Sequence, residues 1–482
     1  MNWPARTGRT GLRAMGAAAR RGVIALSIVL AGVLLPVKAG IAETLTVALY
    51  PYVPRVDQFK TAITEAWQKV QPSVNLVYVP TNEWDGGYSD DPKSTYDVFV
   101  FDAMYFEYFR SKGYLASMSP GEIANESDFL SYAIDGVKVS GNYYAIPLLG
   151  CANILFFDKA NTALKNATTL SDVNSALGQC TYTSEIPPDR RGLMVDMAGT
   201  TTNVALYADT AHSLTGTYPL PQPAPSNLNQ QAIANMTSIM SMASFRDATA
   251  HNVPAYGRAA WYNSGYGTAY VGYTESMSQM SASTLANIDF KVMPLSNAGN
   301  RPLFYADVIG VNAAITNPGR RALAVQLANV MAASDTVVNA YKAETTGGNP
   351  QYLMATRTSV FKTLAQTYPL YANMLSLVTD NNPLMFKLDA SARTWITSVG
   401  STIKTETRTA YTCGCDFPAA QPIFGNASAP PICNATCLDH GGWNGQWTNQ
   451  YPAAQDGSVC GCNSCPTGLS LTLEDVTKRP HY

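Results

Sequence analysis

At 482 residues the chain exceeds what one hydrophobic core usually holds, and it is expected to form two or three domains. Apolar residues make up 46% and charged residues 14%, the balance of a globular protein with few charges. The formal charge of −2 becomes −8 (26 basic, 34 acidic) without residues 1–42, which carry five arginines, Lys38 and no acid. Such a chain is a poor partner for nucleic acid and a reasonable host for a small cation.

Residues 1–42 read as a secretory signal peptide. Arg6, Arg9, Arg13, Arg20 and Arg21 precede an apolar run from Gly22 to Val37, and Ala39, Gly40 and Ala42 supply small residues for cleavage near Ala42. A membrane anchor is the competing reading, but Ser27, Gly32 and Pro36 interrupt a run already short for spanning. The expected location is periplasmic or secreted.

Leu45–Leu49 is a predicted strand that runs into Tyr50-Pro51-Tyr52. Phe59, Ala62, Ile63, Ala66, Trp67 and Val70 recur at helical spacing and stop before Pro72. Val74–Val79 is a second strand and Asn82–Tyr88 a loop. Tyr96–Asp102 is a third strand that ends on an acid, followed by a short helix before Gly113. This alternation predicts a largely parallel α/β sheet, with ligands beyond the carboxyl ends of the strands, where Tyr50, Tyr52 and Asp102 lie.

The stretch Asn142–Lys159 organises the rest. Two strand-like runs, Tyr143–Leu149 and Ala152–Phe157, flank Gly150 and Cys151, a break at which a cysteine can face a crevice. Further along, Ser171–Leu177 and Leu228–Phe245 read as helices around a Pro- and Ser-rich loop at Leu214–Asn227. His251–Gly272 is rich in Gly and Tyr, and Tyr273–Met277 follows with Glu275. Pro302–Asn312 is a strand holding Tyr305 and Asp307. Arg320–Tyr341 is expected to be one long helix and Pro383–Ile403 another.

Nine cysteines occur, at 151, 180, 413, 415, 433, 437, 460, 462 and 465. In an oxidising compartment an odd number leaves one thiol unpaired or intermolecular. Cys151 is the candidate free thiol; a Cys151–Cys180 disulfide is the alternative. A cysteine protease would need a histidine near the thiol, and the core offers only His212 and His251 in plain contexts. No two-histidine metallohydrolase motif is present.

Gly136–Leu148 resembles the lobe crossing of periplasmic solute-binding proteins. The expected fold is α/β, bilobal and periplasmic-binding-protein-like (type II), with two mixed sheets, a ligand cleft and a small disulfide-rich C-terminal domain. Lobe 1 is expected at about 43–150 plus 301–345, and lobe 2 at about 151–300 plus 346–410. Over residues 44–410 the chain also resembles thiamine pyridinylase, the type I thiaminase family. The likeness rests on Tyr50-Pro51-Tyr52, Tyr96–Ala103, Pro147–Phe157, Gly272–Ser276 and Tyr305-Ala306-Asp307. It implies Cys151 as nucleophile and Glu275 as acid/base, with Tyr50, Tyr52, Asp102, Tyr273 and Asp307 in the cleft beside Tyr88, Tyr256 and Tyr305. Taken singly, Glu275 also reads as a solvated carboxylate, the tyrosines as packing, and the two aspartates as caps. The resemblance implies a monomer without metal or organic cofactor that consumes thiamine and a small nucleophile (an aromatic amine, pyridine or thiol). A thiol of ordinary pKa, about 8.5, needs activation for this near neutrality.

From Cys413 the composition turns to Cys, Gly, Trp, Pro and Asn. Residues 418–462, with Asn444-Gly445-Gln446-Trp447 and its cysteines, resemble the small mannan-binding lectin-like domain. That likeness implies contact of Asn444, Gln446 and Trp447 with a mannose-type glycan. A stapled tail with Trp443 and Trp447 as its core, or a zinc site, is the other reading. For the whole chain two rivals to an enzyme stand: a carrier of thiamine or a sugar, which needs no reactive Cys151, and a lectin-targeted adhesion protein.

Overall fold

The computed structural model describes residues 43–178, 192–243, 248–249, 253, 255–409, 417–449 and 458–463. The expected signal peptide at 1–42, Cys180, His251, Cys413, Cys415 and Cys465 lie outside them.

The helix Val56–Val70 buries Phe59, Ala62, Ile63 and Trp67, the residues whose spacing predicted it. The Trp67 indole donates to the Val74 carbonyl at 2.9 Å and so fastens the helix to the next strand. That strand, Val74–Tyr78, lies parallel to Glu43–Ala48, which lies parallel to Val98–Asp102. Leu303–Val311 then pairs antiparallel with both Val98–Asp102 and Ile146–Cys151. The sheet is completed by Met354–Ala355 beside Ile146–Cys151 and Leu384–Met385 beside Leu303–Phe304. It is therefore mixed, where the strand–helix alternation alone predicted largely parallel pairing.

A second, four-stranded sheet has the order Ile288–Val292, Ile154–Asp158, Ala269–Gly272, Leu193–Met194. The chain passes from the first sheet to the second at Ala152–Asn153 and returns between Val292 and Leu303. Cys151 is the last residue before the first crossing. This is the bilobal arrangement expected from the sequence.

Gly150 owes its identity to close approach. A Cβ there would lie 2.4 Å from the Tyr132 hydroxyl and 3.3 Å from Met354 Cγ. We expect Gly150→Ala to lower the unfolding free energy by about 1–3 kcal/mol, as overpacking does, measurable as a lower urea midpoint at unchanged slope.

Three expectations require correction. Arg320–Tyr341 is two helices, Pro318–Met331 and Ser334–Tyr341, with Ala333 extended between them. Arg357 Nε takes the Ala332 carbonyl at 2.6 Å, and the Ser334 hydroxyl meets that of Ser359, so tertiary partners end the first helix. Pro383–Ile403 begins as the strand Leu384–Met385, and its helix starts only at Ala392. Residues 346–410 do not all follow lobe 2: the strands at 354–355 and 384–385 join the first sheet, and only Ala392–Thr409 packs on the second lobe's helices Thr200–Thr215 and Gln230–Ser241. Strand pairing decides this, and no local pattern announces it.

Thr200–Thr215 itself is a helix that periodicity did not reveal. It buries polar Asn203, Asp209, Thr210 and His212 along with Val204, Leu206 and Tyr207, which blurs the apolar stripe. Both ring nitrogens of His212 meet backbone carbonyls, of Thr217 at 2.9 Å and Arg301 at 3.0 Å, so this residue serves the fold.

Near the C-terminus, Phe417–Pro418, Val459–Cys462 and Trp443–Thr448 form a three-stranded sheet. Disulfides Cys433–Cys460 and Cys437–Cys462 tie its central strand to the helix Ala429–Thr436 and to the residue that follows it. Among the described residues no helix is long and apolar enough to cross a membrane.

Candidate active site

Pairing in the first sheet assembles one half of the site. Tyr305 lies opposite Cys151, and Asp307 lies opposite both Leu149 and Asp102. Directly opposed residues share a sheet face, so Cys151, Tyr305, Asp307 and Asp102 project together. Three strands deliver them to one end because Leu303–Val311 runs antiparallel: its early residues meet the carboxyl ends of its neighbours.

Cys151 carries a free, partly buried thiol. Its being unpaired goes against the expected alternative, a disulfide at Cys151. Burial pushes the thiol well above its ordinary pKa, and Glu275, Asp307 and Asp102 push it further in the same direction. The resting site therefore holds a neutral thiol inside a ring of acids.

Asp102 fills the capping reading and also meets Tyr88. Oδ1 accepts from the Met104 amide at 2.8 Å and caps the turn Ala103–Tyr105, while Oδ2 accepts from the Tyr88 hydroxyl at 2.8 Å. Burial raises its carboxyl to about 6 against the lowering effect of those two donors. Asp307 is pushed well above the carboxylate range by burial, then by Asp102 and Glu275. Two carboxyls side by side resist double ionisation until a cation or donor arrives.

The Tyr88 hydroxyl lies 3.2 Å from that of Tyr50, and the Tyr50, Tyr52 and Tyr88 rings meet edge to face in sequence. Gly86, at φ +76°, lets its loop lie on Tyr50; a Cβ there would be 2.6 Å from the ring. Tyr52 is 56% exposed and forms the open edge of this wall.

The second lobe supplies the facing half. Glu275 sits in the turn Thr274–Gln279 directly after Ala269–Gly272 and is 7% exposed. Its Oε2 has no hydrogen-bond partner among the described residues, and burial raises its carboxyl to about 7. That observation excludes the solvated-carboxylate reading. Tyr273 lies edge to face with Tyr305 at 6.4 Å. Tyr256 adopts φ +60°, and its hydroxyl is raised by burial, then by Glu275 and Cys151, which places it in the same field.

The sequence reading overlooked several neighbours. Asn153, inside the crossing, donates to Asp209 Oδ2 at 2.8 Å and to the Tyr305 hydroxyl at 3.3 Å. Burial lifts Asp209 to about 7 against the Asn153 donor. Phe386 stacks on Tyr305 with centroids 4.6 Å apart. Asn153 lies two residues past Cys151; Asp209 lies on a helix that no local pattern announces, and Phe386 just after a strand where a helix is expected. Among the described residues no group of three or more His, Cys, Asp or Glu is placed to hold a metal ion.

In the C-terminal sheet, Asn444 Oδ1 accepts from the Gln446 amide at 2.9 Å, and the Trp447 indole donates to Asn426 Oδ1 at 3.1 Å. Trp443 and Trp447 both pack partly buried against the core.

A two-lobed α/β fold of the periplasmic-binding-protein class thus holds a free thiol at the end of a first-sheet strand within the electrostatic reach of a buried carboxyl that follows a second-sheet strand. The Thiaminase-1 domain family matches residues 152–296, and the Mannan-binding protein family matches residues 426–462. Thiaminase-1 of Paenibacillus thiaminolyticus is 35% identical over 361 residues, 73% of this chain and 85% of that protein. The structure of Clostridium botulinum thiaminase I in complex with thiamin is 35% identical, with TM-score 0.71, over 76% of this chain and all of that one. Maltose-bound MalE3 of T. maritima, at 15% identity and TM-score 0.54, covers 76% of this chain and 99% of its own, and shares the fold alone. The chain belongs to the thiaminase I family.

Proposed function

We propose that the chain is a secreted thiamine-degrading transferase that displaces the thiazole of thiamine through a covalent adduct on Cys151. The observation that carries this reading is the free Cys151 thiol in the electrostatic field of the buried Glu275, whose Oε2 has no hydrogen-bond partner among the described residues.

Thiamine joins a thiazolium cation to an aminopyrimidine through a methylene. Its positive charge offsets the acids that hold the thiol neutral, so the thiolate forms with substrate in place. Glu275 takes the thiol proton as sulfur bonds to an electron-poor pyrimidine carbon. Ring electrons then break the methylene–nitrogen bond, and thiazole leaves neutral. Glu275 releases its proton to solvent and takes another from the incoming nucleophile, which bonds to the methylene carbon. Sulfur departs with the ring electrons returned and regains that second proton, so one proton is released overall. Asp102 and Asp307 recognise the aminopyrimidine by hydrogen bonds. Tyr50, Tyr52, Tyr88, Tyr256, Tyr273 and Tyr305 supply ring faces and hydroxyls around the cation.

The test is to incubate the protein with thiamine and aniline and to follow masses of both protein and small molecules. A pyrimidine adduct mapped to the Cys151 peptide, with anilino product and free thiazole, is expected. Thiamine recovered intact would favour the carrier reading.

The residues at 426–462 match a mannan-binding family, and we read Trp447, with Asn444 and Gln446, as a contact surface for a mannose-type glycan. Deleting residues 413–482 is expected to leave thiamine turnover unchanged and to abolish retention on immobilised mannan. Retention by the truncated protein would remove the glycan role from this domain.

A further inference from the structure

Arg393 stands in the first turn of Ala392–Thr409, a helix packed on the second lobe, yet every partner of its guanidinium belongs to the first. Nη2 donates to the carbonyls of Gly87 at 2.7 Å and Asp90 at 2.6 Å. Nη1 donates to Asp91 Oδ1 at 2.8 Å and to the Tyr108 hydroxyl at 3.2 Å. The group also lies over the Tyr108 ring, 4.3 Å from its centroid. The start of the helix is fixed on the opposite side, where the Trp395 indole donates to the Pro223 carbonyl at 2.8 Å and the Ser391 hydroxyl to Gln222 Oε1 at 2.7 Å.

The two carbonyls that Arg393 holds bracket Tyr88. On its inner side the loop closes on Asp85, which accepts from the amides of Gly87 at 3.0 Å, Ser89 at 2.7 Å and Asp90 at 3.2 Å. Those bonds shape the loop but attach it to nothing else. The Tyr88 hydroxyl must still reach Asp102 and Tyr50, and the Asp102 amide reaches the Gly86 carbonyl at 3.0 Å. Within the first lobe the end of the loop is held at Asp91, which accepts from the hydroxyls of Tyr108 at 3.1 Å and Tyr114 at 2.9 Å; Arg393 adds the attachment from the other lobe, and it alone of these grips the carbonyls on either side of Tyr88.

We propose that Arg393 is a positioning residue: it clamps the 85–91 loop from the second lobe and so sets Tyr88 against Asp102 in the substrate cleft. The proposal rests on the cleft being the thiamine site argued above. Arg393 touches neither the thiol nor the space between the cleft walls, and acts through Tyr88.

Charge and positioning predict opposite results on its removal. Arg393 is the ion-pair partner of Asp91, so as a mere counter-charge its loss would favour a cationic substrate and lower KM, with strong salt dependence. As a clamp, its loss lets Tyr88 wander and raises KM. We expect Arg393→Ala to raise KM for thiamine about tenfold with kcat within about threefold, because misplacement of a binding wall removes uniform binding. Arg393→Lys is expected to recover only a minor part, since one ammonium cannot hold two carbonyls and a carboxylate in the same fork. Combined with Tyr88→Phe, the KM effect of Arg393→Ala should be less than additive. Hydrogen exchange in residues 85–91 should quicken while that of Val98–Asp102 stays slow.

An unchanged or lowered KM in folded Arg393→Ala protein would overturn the proposal, as would full rescue by lysine. Should wild-type protein leave thiamine intact, the functional reading fails instead. Exchange in the 85–91 loop then still decides the clamp, and an unchanged rate there overturns it.

Discussion

Cys151→Ser protein is expected to fold, bind thiamine and consume it at least about a thousandfold more slowly than the wild type. The substitution exchanges sulfur for oxygen at the end of Ile146–Cys151 and leaves the neighbouring walls intact. What it removes is an atom that can become an anion near neutrality and later leave again. A serine hydroxyl in the same field of Glu275, Asp307 and Asp102 stays protonated throughout the pH range in which the protein is folded. Calorimetric titration with thiamine reports binding, and product analysis with aniline reports turnover. Comparable turnover in the two proteins would exclude sulfur as the nucleophile and leave the cleft without a covalent step.

Glu275→Gln is expected to lower kcat by about 10²–10⁴-fold, the usual worth of a general acid–base group. The carboxyl is raised from 4.5 to about 7 by burial, so wild-type kcat/KM should rise with pH through an acid limb near 7. The variant should lack that limb. Loss of a negative charge beside the thiol lowers the thiol's pKa, so alkylation of Cys151 by iodoacetamide should quicken in the variant even as turnover falls. Slower alkylation together with slower turnover would argue for a general disturbance of the site.

The same substitution is expected to stabilise the protein at pH 8. A carboxyl whose folded value lies above its ordinary one keeps a proton that the unfolded chain releases. Its contribution to stability therefore falls as pH climbs from 4.5 to about 7 and stays low above that. Glutamine is neutral at every pH and escapes the penalty. A gain of about 1–3 kcal/mol at pH 8, shrinking toward pH 5, follows from the size of the shift. Urea midpoints at the two pH values measure it. A site that gains stability and loses turnover by one change is storing strain for chemistry.

Most of the cleft was readable because its residues sit on local signals. Tyr50 and Tyr52 follow a strand end, Asp102 terminates a strand, and Cys151 follows the glycine at a break between two apolar runs. Glu275 is legible only beside the family likeness, since a lone glutamate near a tyrosine says little; its burial, and an Oε2 without a partner among the described residues, give it meaning. Asp209 stayed hidden for a different reason. It lies on a helix that buries polar side chains on several sides, so the apolar periodicity that normally marks a helix was never there.

By itself the sequence determined the alternation of strands and helices, the crossing at Cys151, the chemistry available in the cleft and the cysteine-rich tail. These rest on spacing, residue type and neighbours along the chain. Only the tertiary structure decided that Cys151 stays unpaired, that Leu303–Val311 enters the first sheet antiparallel and brings Tyr305 and Asp307 to the thiol, and that Arg393 reaches across from the other lobe. The last two outcomes depend on partners more than 150 residues apart in the chain (Cys151 and Tyr305 are 154 apart). Contacts of that kind leave no periodic trace at either end, because each side chain obeys its own local pattern until the fold brings the two together.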